Sequence, residues 1–415
     1  MIDRIFFILK LYIILFSTSC GHGIMKLEES EFISHSDTCV LSVIPQNETI
    51  DIGQYLDSAY YVKLELTDES IIGQIDKLII FEDKIYILDR QTSSVFIFDM
   101  TGKYLLKLCK IGNGPGEYNK IHFFGIDEEK RHIVITDLIT YWTMRYDLTG
   151  KYVSRKKIPF NTLVITPLHG GEYVSYSNFR ENSRFLEVDY NIIYLDSLMQ
   201  IKKVYFPYHS KNFYGPTVQF TSVTGGPFYM FNNEVHFIYS LKNEVYQVVS
   251  EGLSLKYKFD FNGKNFKYEA IHKRSGLFEY LNDGRYWTIL RVCETENLLS
   301  FSFLENMDRI LNTGFYSKST GNVIHSNGFF LNKFRFFISP ISSYKDWIIS
   351  EFQVDDLLEW SKFVNKMYDE LKEKGYQGER DLVLGHQALF DRKRMAESLT
   401  FDDNPVLMFF KLKPF

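Results

Sequence analysis

An internal repeat constrains the fold of this chain more than any other feature of its sequence. The segments KIYILDRQTSSVFIFDMTGKYLLKL (84–108) and HIVITDLITYWTMRYDLTGKYVSRK (132–156) align at a constant offset of 48 residues. Four pairs of identical residues share that offset: Asp89 and Asp137, Asp99 and Asp147, Gly102 and Gly150, and Tyr104 and Tyr152. A period of about 20–50 residues is typical of proteins that stack one supersecondary unit several times.

Each unit reads as a small antiparallel sheet. KIYILD alternates and is rich in β-branched residues, which predicts a strand, and VFIFD, YLLKL and the preceding IGQIDKLIIF (72–81) predict three more. The turn DMTGK, repeated as DLTGK, predicts an Asp that bonds the turn backbone and a Gly at positive φ. Asp99, Gly102, Asp147 and Gly150 are therefore expected to be structural turn residues. One such sheet cannot bury both its faces, so several units have to stack radially as the blades of a β-propeller.

Weaker copies of the unit continue to the end of the chain. We predict an all-β fold, namely a six-bladed β-propeller of four-stranded antiparallel blades over residues 59–415. VDDLLEWSKFVNKMYDELKEKG (354–375) carries apolar residues at helical spacing, which predicts a small helical insertion at about 354–399 in the last blade. The last strand, in NPVLMFFKLKPF (404–415), is expected to pair with YYVKLEL (60–66) and so to close the ring.

The N-terminus predicts export. IFFILKLYIILF (5–16) would span about 18 Å as a helix, too short for the ~30 Å core of a bilayer. Arg4 precedes it and small residues follow it, which predicts a signal peptide over residues 1–19. Cys20 comes next, as in the cleavage box of bacterial lipoproteins, and would carry the lipid anchor. The alternative is an ordinary cleaved signal with a free thiol. The polar and acidic segment 20–58 is expected to be a tether.

Three stretches of the chain resemble a known family. They are residues 69–108, the loop GNGPGEY (112–118) and the terminal DNPVLMFFKLK (403–413), and they are similar to the bacterial six-bladed β-propeller lipoproteins, relatives of the NHL-repeat propellers. The resemblance implies the fold and an exported lipoprotein with the membrane as its partner through the lipid, and we place it at the outer membrane of the cell envelope. It carries over no catalytic residues.

The loop KIGNGPGEY (110–118) raises the question of phosphate binding. Gly112, Gly114 and Gly116 do not match a Walker loop, because no Lys-Ser or Lys-Thr follows, and the next element, IHFFGID, is a strand and not a helix. We therefore expect the three glycines to be structural, in the corner between the first two blades. A net charge of −5 likewise argues against a nucleic acid as partner.

The default binding site of a propeller is the mouth of its central channel. Side chains near the predicted turns could contact a ligand there, and the candidates are Arg90, Tyr118, Trp142 and Arg145. We expect a monomeric protein that binds a glycan, a peptide or a protein partner, without a cofactor or metal and without catalysis.

Two alternatives stay open at this point. The first is a hydrolase or lactonase that holds Ca²⁺ on the axis, as in propellers of the gluconolactonase type, with Asp137, Asp402 and Asp403 as candidate ligands. The second is a scaffold subunit of an envelope complex, which would present a broad apolar patch on one face.

Overall fold

The computed structural model describes residues 24–34, 38–44, 49–210, 225–268, 287–305, 310–332, 334–336, 338–374 and 384–415. The predicted signal peptide 1–19 and the predicted lipidation site Cys20 lie outside these residues. Among the helices of the described ranges, none is long and apolar enough to cross a membrane.

The described chain is mostly β-structure arranged in small sheets. Three strands come first: β1 (Cys39–Ser42), β2 (Ile50–Asp51) and β3 (Leu56–Lys63). Sheets 1 to 5 follow in chain order with four antiparallel strands each: sheet 1, β4 (Lys77–Phe81), β5 (Lys84–Asp89), β6 (Ser94–Asp99), β7 (Tyr104–Leu108); sheet 2, β8 (Phe123–Asp127), β9 (His132–Asp137), β10 (Trp142–Asp147), β11 (Tyr152–Lys157); sheet 3, β12 (Val164–Pro167), β13 (Tyr173–Tyr176), β14 (Asp189–Leu195), β15 (Ile201–Tyr208); sheet 4, β16 (Phe228–Phe231), β17 (Glu234–Tyr239), β18 (Glu244–Val249), β19 (Gly252–Asp260); sheet 5, β20 (Trp287–Glu294), β21 (Leu298–Glu305), β22 (Ile310–Ser317), β23 (Val323–Ser326). Two short strands, β24 (Phe329–Leu331) and β25 (Phe334–Phe336), form a separate small sheet with β2.

The last sheet combines strands from both ends of the chain. Sheet 6 contains β26 (Pro340–Tyr344), β27 (Trp347–Phe352) and β28 (Val406–Leu412), and β3 pairs antiparallel with β28. Phe409 lies opposite Tyr60, and their rings stack with centroids 4.8 Å apart. The predicted pairing of the terminal strand with the segment around residues 60–66 is confirmed.

The helices lie between the two last strands, in the segment where the sequence predicts an insertion. They are α1 (Val354–Glu373) and α2 (Gln387–Glu397). Leu357 and Val364 of α1 and Leu389 of α2 are fully buried in a cluster that also contains Phe352 of β27. The apolar stripe read from the sequence is therefore the face that packs on sheet 6.

Apolar clusters join each sheet to the next. Successive residues of a strand point to opposite faces, so Ile85 of β5 packs toward sheet 6, in a cluster with Phe409, while Tyr86 packs toward sheet 2, in a cluster with Phe124. Comparable clusters lie between sheets 2 and 3, 3 and 4, 4 and 5, and 5 and 6. Because both faces of β5 are covered, KIYILD is buried along almost its whole length.

The sheets share a common orientation. The first strands of neighbouring sheets contact one another, and we call them the inner strands: β4, β8, β12, β16, β20 and β26. The turn that follows an inner strand is called an inner turn. Inner turns of different sheets are linked by polar contacts: Arg131–Glu82 (2.7 Å), Gly170–Glu129 (2.7 Å), His169–Asn233 (2.7 Å), Asn232–Glu296 (2.8 Å) and Tyr344–Asp83 (2.6 Å). The inner turns thus lie at one end of the assembly, the inner-turn end, and the connections between sheets lie at the other, the connector end.

The segment predicted as a tether over residues 20–58 packs on the sheets where it is described. The backbone of Met25 bonds Phe185 at 2.9 Å, and that of Ile33 bonds Leu253 at 2.8 Å. Next, β1 pairs in parallel with β19 as a fifth strand of sheet 4. Leu41 is buried at 1% exposure, so alternating apolar residues fix this part of the segment in place.

Candidate functional site

The repeated Asp and Gly residues build the same turn in sheets 1 and 2. Asp99 Oδ1 accepts hydrogen bonds from the backbone N–H groups of Thr101 (2.8 Å) and Lys103 (3.0 Å), and Asp147 bonds its own turn in the same way. Gly102 has φ 87° and Gly150 has φ 81°, which is the left-handed region that favours glycine. These four residues stabilise the backbone of the turns, and none of them lines the cavity described below.

The glycine-rich loop is filled by its own carboxylate. It connects β7 and β8, and Glu117 Oε2 accepts a hydrogen bond from the N–H of Gly114 at 2.8 Å. A Cβ placed on Gly112 would lie 2.7 Å from Glu117 Cδ, and only Gly116 of the three glycines has a positive φ, 78°. A bound phosphate would have to displace this carboxylate, so the loop's geometry matches a corner between sheets.

The four ligand-binding candidates are not brought together. Tyr118 is 1% exposed and its hydroxyl donates to the carbonyl of Ser93 at 3.1 Å. Arg90 pairs with Asp76 at 2.7 Å, Arg145 pairs with Asp127 at 3.2 Å, and Trp142 stacks under Arg155 at 4.3 Å. None of these four side chains lines the axial cavity described next, and ligand contact by them stays a prediction.

The inner strands of all six sheets surround one cavity of about 520 Å³, the axial cavity. At the connector end it is lined by Gly225 and Gly226, and the N–H of Gly225 donates to the carbonyl of Asp76 at 2.7 Å. This bond joins the start of sheet 4 to the start of sheet 1 across the axis. At the inner-turn end, the lining includes Glu82 and Asn233. A volume of this size is within the range that small organic ligands occupy in proteins.

Lys77 lines the cavity at the first position of β4. Its ammonium lies 4.4 Å above the ring of Phe123, and the space for that ring exists because Gly226 has no side chain. The ammonium of Lys77 makes no hydrogen bond or ion pair with any described residue, whereas its backbone pairs with that of Leu88. Burial without a counter-charge lowers the pKa of Lys77 to about 7.

Arg291 of β20 is a second cation of the cavity wall. Its guanidinium donates to the carbonyl of Pro340 at 2.6 Å, and burial lowers its pKa from the ordinary value. Glu351 lies within electrostatic reach, and burial raises the pKa of that carboxyl to about 7, although Gln353 donates to it at 2.6 Å. Burial therefore opposes the charge of the carboxyl as well as that of the guanidinium.

Glu294 anchors a buried cluster between sheets 4 and 5. Its carboxylate, 2% exposed, accepts from the hydroxyls of Tyr229 (2.8 Å) and Tyr257 (2.6 Å) and pairs with Lys318 (2.8 Å) and Lys256 (3.2 Å). Burial raises the pKa of Glu294, but the two ammonium groups lower it by more than burial raises it, so the net shift is downward. This acid is fully paired.

Two of the three carboxylates considered as metal ligands have other partners. Asp137 accepts from the N–H groups of Ile139 (2.8 Å) and Asn119 (2.9 Å), and Asp403 pairs with Lys63 at 2.8 Å, while the loop residue Asp402 is exposed. Within the described ranges, no group of three or more His, Cys, Asp or Glu side chains is arranged to hold a metal ion.

The sequence did not point to the residues that matter in this cavity. Lys77 is the one charged residue of β4, and Arg291 and Glu294 are the two charged residues of β20; their spacing along the chain follows no motif. A lysine at the start of the run KLIIF was the one local signal, since an unpaired charge in such an apolar strand is costly.

A family model described as "Domain of unknown function (DUF4934)" matches residues 39–411. The chain belongs to the DUF4934 family. Among curated proteins, none matches this DUF4934 chain. A crystal structure of an exported protein from Bacteroides fragilis is similar over 90% of this chain and 100% of its own, with 17% identity and a TM-score of 0.68. A DUF4221 family member from Bacteroides vulgatus is similar over 87% of this chain and 98% of its own, with 9% identity and a TM-score of 0.50. At these identities the similarity bears on the fold, which is propeller-like in this DUF4934 chain.

Proposed function

We propose that this DUF4934 protein is an exported, lipid-anchored six-bladed β-propeller, related to NHL-repeat propellers, that binds a ligand in its axial cavity without catalysis. The blade count is supported by the six sheets of four antiparallel strands in the described chain and by the clusters that join them in sequence, with sheet 6 packed on sheet 1. The shared strand pair β3–β28 acts as the closure between first and last blade.

Ligand binding is supported above all by one observation, the cavity of about 520 Å³ that all six inner strands line. Its walls are mostly apolar strand residues, with a few charged groups such as Lys77 and Arg291. Apolar walls with a small number of placed polar groups are typical of sites for small ligands, and a glycan or peptide fragment is the class we propose.

The envelope location is supported by the sequence of residues 1–20, and the position of Met25 bears on the orientation at the membrane. Ile24 is four positions after Cys20, and Met25 pairs with Leu186, in the turn between β13 and β14 at the connector end. A lipid on Cys20 would therefore hold the connector end at the outer membrane and leave the inner-turn end facing away. The Bacteroides fragilis protein of similar fold is also described as exported.

Binding is tested with the purified chain from Cys20 onward. Thermal unfolding is followed with a panel of glycans, peptides, organic acids and divalent metals, and each stabilising compound is mapped by hydrogen–deuterium exchange. We expect protection in peptides that contain β4, β8, β16 and β20. Protection confined to the outer strands or to α1 and α2 would refute the axial site, and stabilisation by a divalent metal would favour the hydrolase.

Location is tested in cells by fractionation of the full chain and two cysteine variants. We expect Cys20→Ala to move the protein from the membrane fraction to the soluble periplasmic fraction, and the control Cys39→Ala to remain membrane-bound. Membrane association that is unchanged in Cys20→Ala would contradict the lipid anchor.

A further inference from the structure

The axial cavity carries a positive charge that the described protein leaves uncompensated. Four acids at its inner-turn end have partners: Glu82 with Arg131, Glu294 with Lys318 and Lys256, Glu296 with Asn232, and Asp346 with Lys411 at 3.6 Å. Lys345 is likewise paired, with Asp83. The ammonium of Lys77 has two rings beside it, Phe123 at 4.4 Å and Phe124 at 5.9 Å, but no paired acid among the described residues.

The acids near the connector end do not neutralise Lys77 either. Asp76, its neighbour in the chain, is taken by Arg90, whose side chain and backbone N–H both bond the carboxylate, at 2.7–2.8 Å. Glu128 lies on the inner turn of sheet 2, at the end of the cavity away from Lys77, and burial raises its pKa. Burial raises the pKa of the Glu351 carboxyl to about 7, so this carboxyl is only partly charged near neutral pH. Among the described residues, no acid pairs with the ammonium of Lys77.

Keeping a lysine in this position costs folding stability, since an unpaired ammonium is partly removed from water. A methionine or leucine would complete the apolar run KLIIF at no such cost. Residues that reduce stability without a structural return are typical of binding sites, where the missing partner comes from the ligand.

We propose that the axial cavity binds a small organic molecule through its carboxylate, with Lys77 as the cation that pairs with it. This inference rests on the proposed function, because it assigns the ligand class of the same site. A carboxylate is present in uronic acids of glycans and at the C-terminus of peptides, so the shared chemistry fits both sources. Arg291, on the inner strand of sheet 5, also lines the cavity as a second cation.

The pairing makes binding depend on pH. Free Lys77 with a pKa of about 7 is partly neutral above that pH, and a bound carboxylate raises the pKa, so binding takes up a proton. Affinity should be constant below pH 7 and fall by up to about tenfold per unit above it.

The test uses isothermal titration calorimetry with two matched pairs of probes, glucuronate against methyl glucoside and N-acetylalanine against its amide. The first pair represents the glycan source and the second the peptide source. The variants are Lys77→Met, Lys77→Arg and the control Lys107→Met, which removes another lysine of sheet 1 that lies over a ring, Phe96, at 5.0 Å, but does not line the cavity.

We expect at least one carboxylate to bind the unaltered chain and its neutral counterpart to bind at least about tenfold more weakly. Lys77→Met should lose the same factor, Lys107→Met should lose none, and Lys77→Arg should keep binding but lose the pH dependence between 7 and 9, because an arginine stays charged. Titration at pH 8 in two buffers of different ionisation enthalpy should report proton uptake. Thermal unfolding of each variant checks that it is folded.

The outcomes separate this inference from the function on which it rests. Equal binding of a carboxylate and its neutral counterpart, or equal affinity of Lys77→Met, overturns the role of Lys77. If neutral glycans or peptides then still protect the inner strands from exchange, the cavity remains the site and only its ligand class is wrong. If no compound of either kind binds in the cavity, both proposals fail.

Discussion

Substituting the two equivalent turn glycines by alanine should give very different losses of stability. Gly102 and Gly150 occupy the same position of the same turn, with φ values of 87° and 81°. An alanine in the left-handed region costs about 1–2 kcal/mol, of which about 0.4–1 kcal/mol is offset because alanine restricts the unfolded chain. Both variants therefore share a loss of about 1 kcal/mol from the backbone alone.

The surroundings of the two glycines differ. A Cβ on Gly150 would meet only Leu106 Cδ2, at 3.4 Å, and Leu108 Cδ1, at 3.7 Å, which is ordinary contact. A Cβ on Gly102 would lie 2.9 Å from the carbonyl carbon of Lys63 and closer still to its oxygen. That carbonyl belongs to β3, so relief requires a shift of backbone and costs about 1–3 kcal/mol more. We expect Gly150→Ala to lose about 1 kcal/mol and Gly102→Ala about 2–4 kcal/mol.

The assay is equilibrium unfolding in urea, followed by tryptophan fluorescence, with both variants and the unaltered chain at one pH. Similar m-values would show that the variants differ in the free energy of unfolding and not in the surface exposed. A difference between the two variants of less than about 0.5 kcal/mol would refute the reasoning, because the turn of sheet 1 would then not press on β3.

Three further predictions concern charge and closure. Lys77→Met should raise the free energy of unfolding by about 1–3 kcal/mol at pH 7. This gain should shrink toward pH 10.5, because the lysine of the unfolded chain is protonated below pH 10.5 and that of the folded chain only below about pH 7. Urea unfolding at several pH values measures the gain. Burial is the main reason that the pKa of His236 is lowered to about 3 in the folded chain, against 6.5 in the unfolded chain. The free energy of unfolding should therefore fall as the pH drops below 6.5, and it should fall less in His236→Gln. Equal slopes of unfolding free energy against pH for the two proteins would contradict this. Deleting residues 406–415 should yield aggregated protein in size-exclusion chromatography, since β3 and β27 become open edges, whereas deleting only 413–415 should leave a soluble chain; equal behaviour of the two deletions would contradict the closure.

Sequence reasoning succeeded where the chemistry is local. The hydrogen bonds of Asp99 to its turn span only four residues, and Gly102 lies within the same turn. The same two residue types therefore recur where the same turn recurs. The third copy is weaker in sequence because Met199, with φ 66°, takes the place of the glycine in a turn where Asp196 still bonds the backbone of Gln200 at 2.9 Å. The geometry is kept although one of its markers is lost.

The axial cavity could not be predicted in this way. Lys77 and Phe123 belong to different sheets, and Gly226, which leaves room for the ring, belongs to a third. Lys77 stands out locally as the one charged residue of its strand, but Phe123 and Gly226 do not, and the contact arises only when the sheets assemble. The candidate ligand residues read from turns do not line this cavity: Tyr118 donates to the carbonyl of Ser93, and Arg145 pairs with Asp127 of its own sheet. Ligand contact by these residues stays a prediction.

The pairing of β3 with β28 sets the order in which the molecule can mature. Leu56 pairs with Leu412, which is synthesised roughly 350 residues later. At about 5–20 residues per second, that delay is on the order of twenty seconds to one minute, during which an apolar strand has no neighbour. We therefore expect this protein to depend on chaperones during synthesis, and sheet 6 to form only once the whole polypeptide has been released.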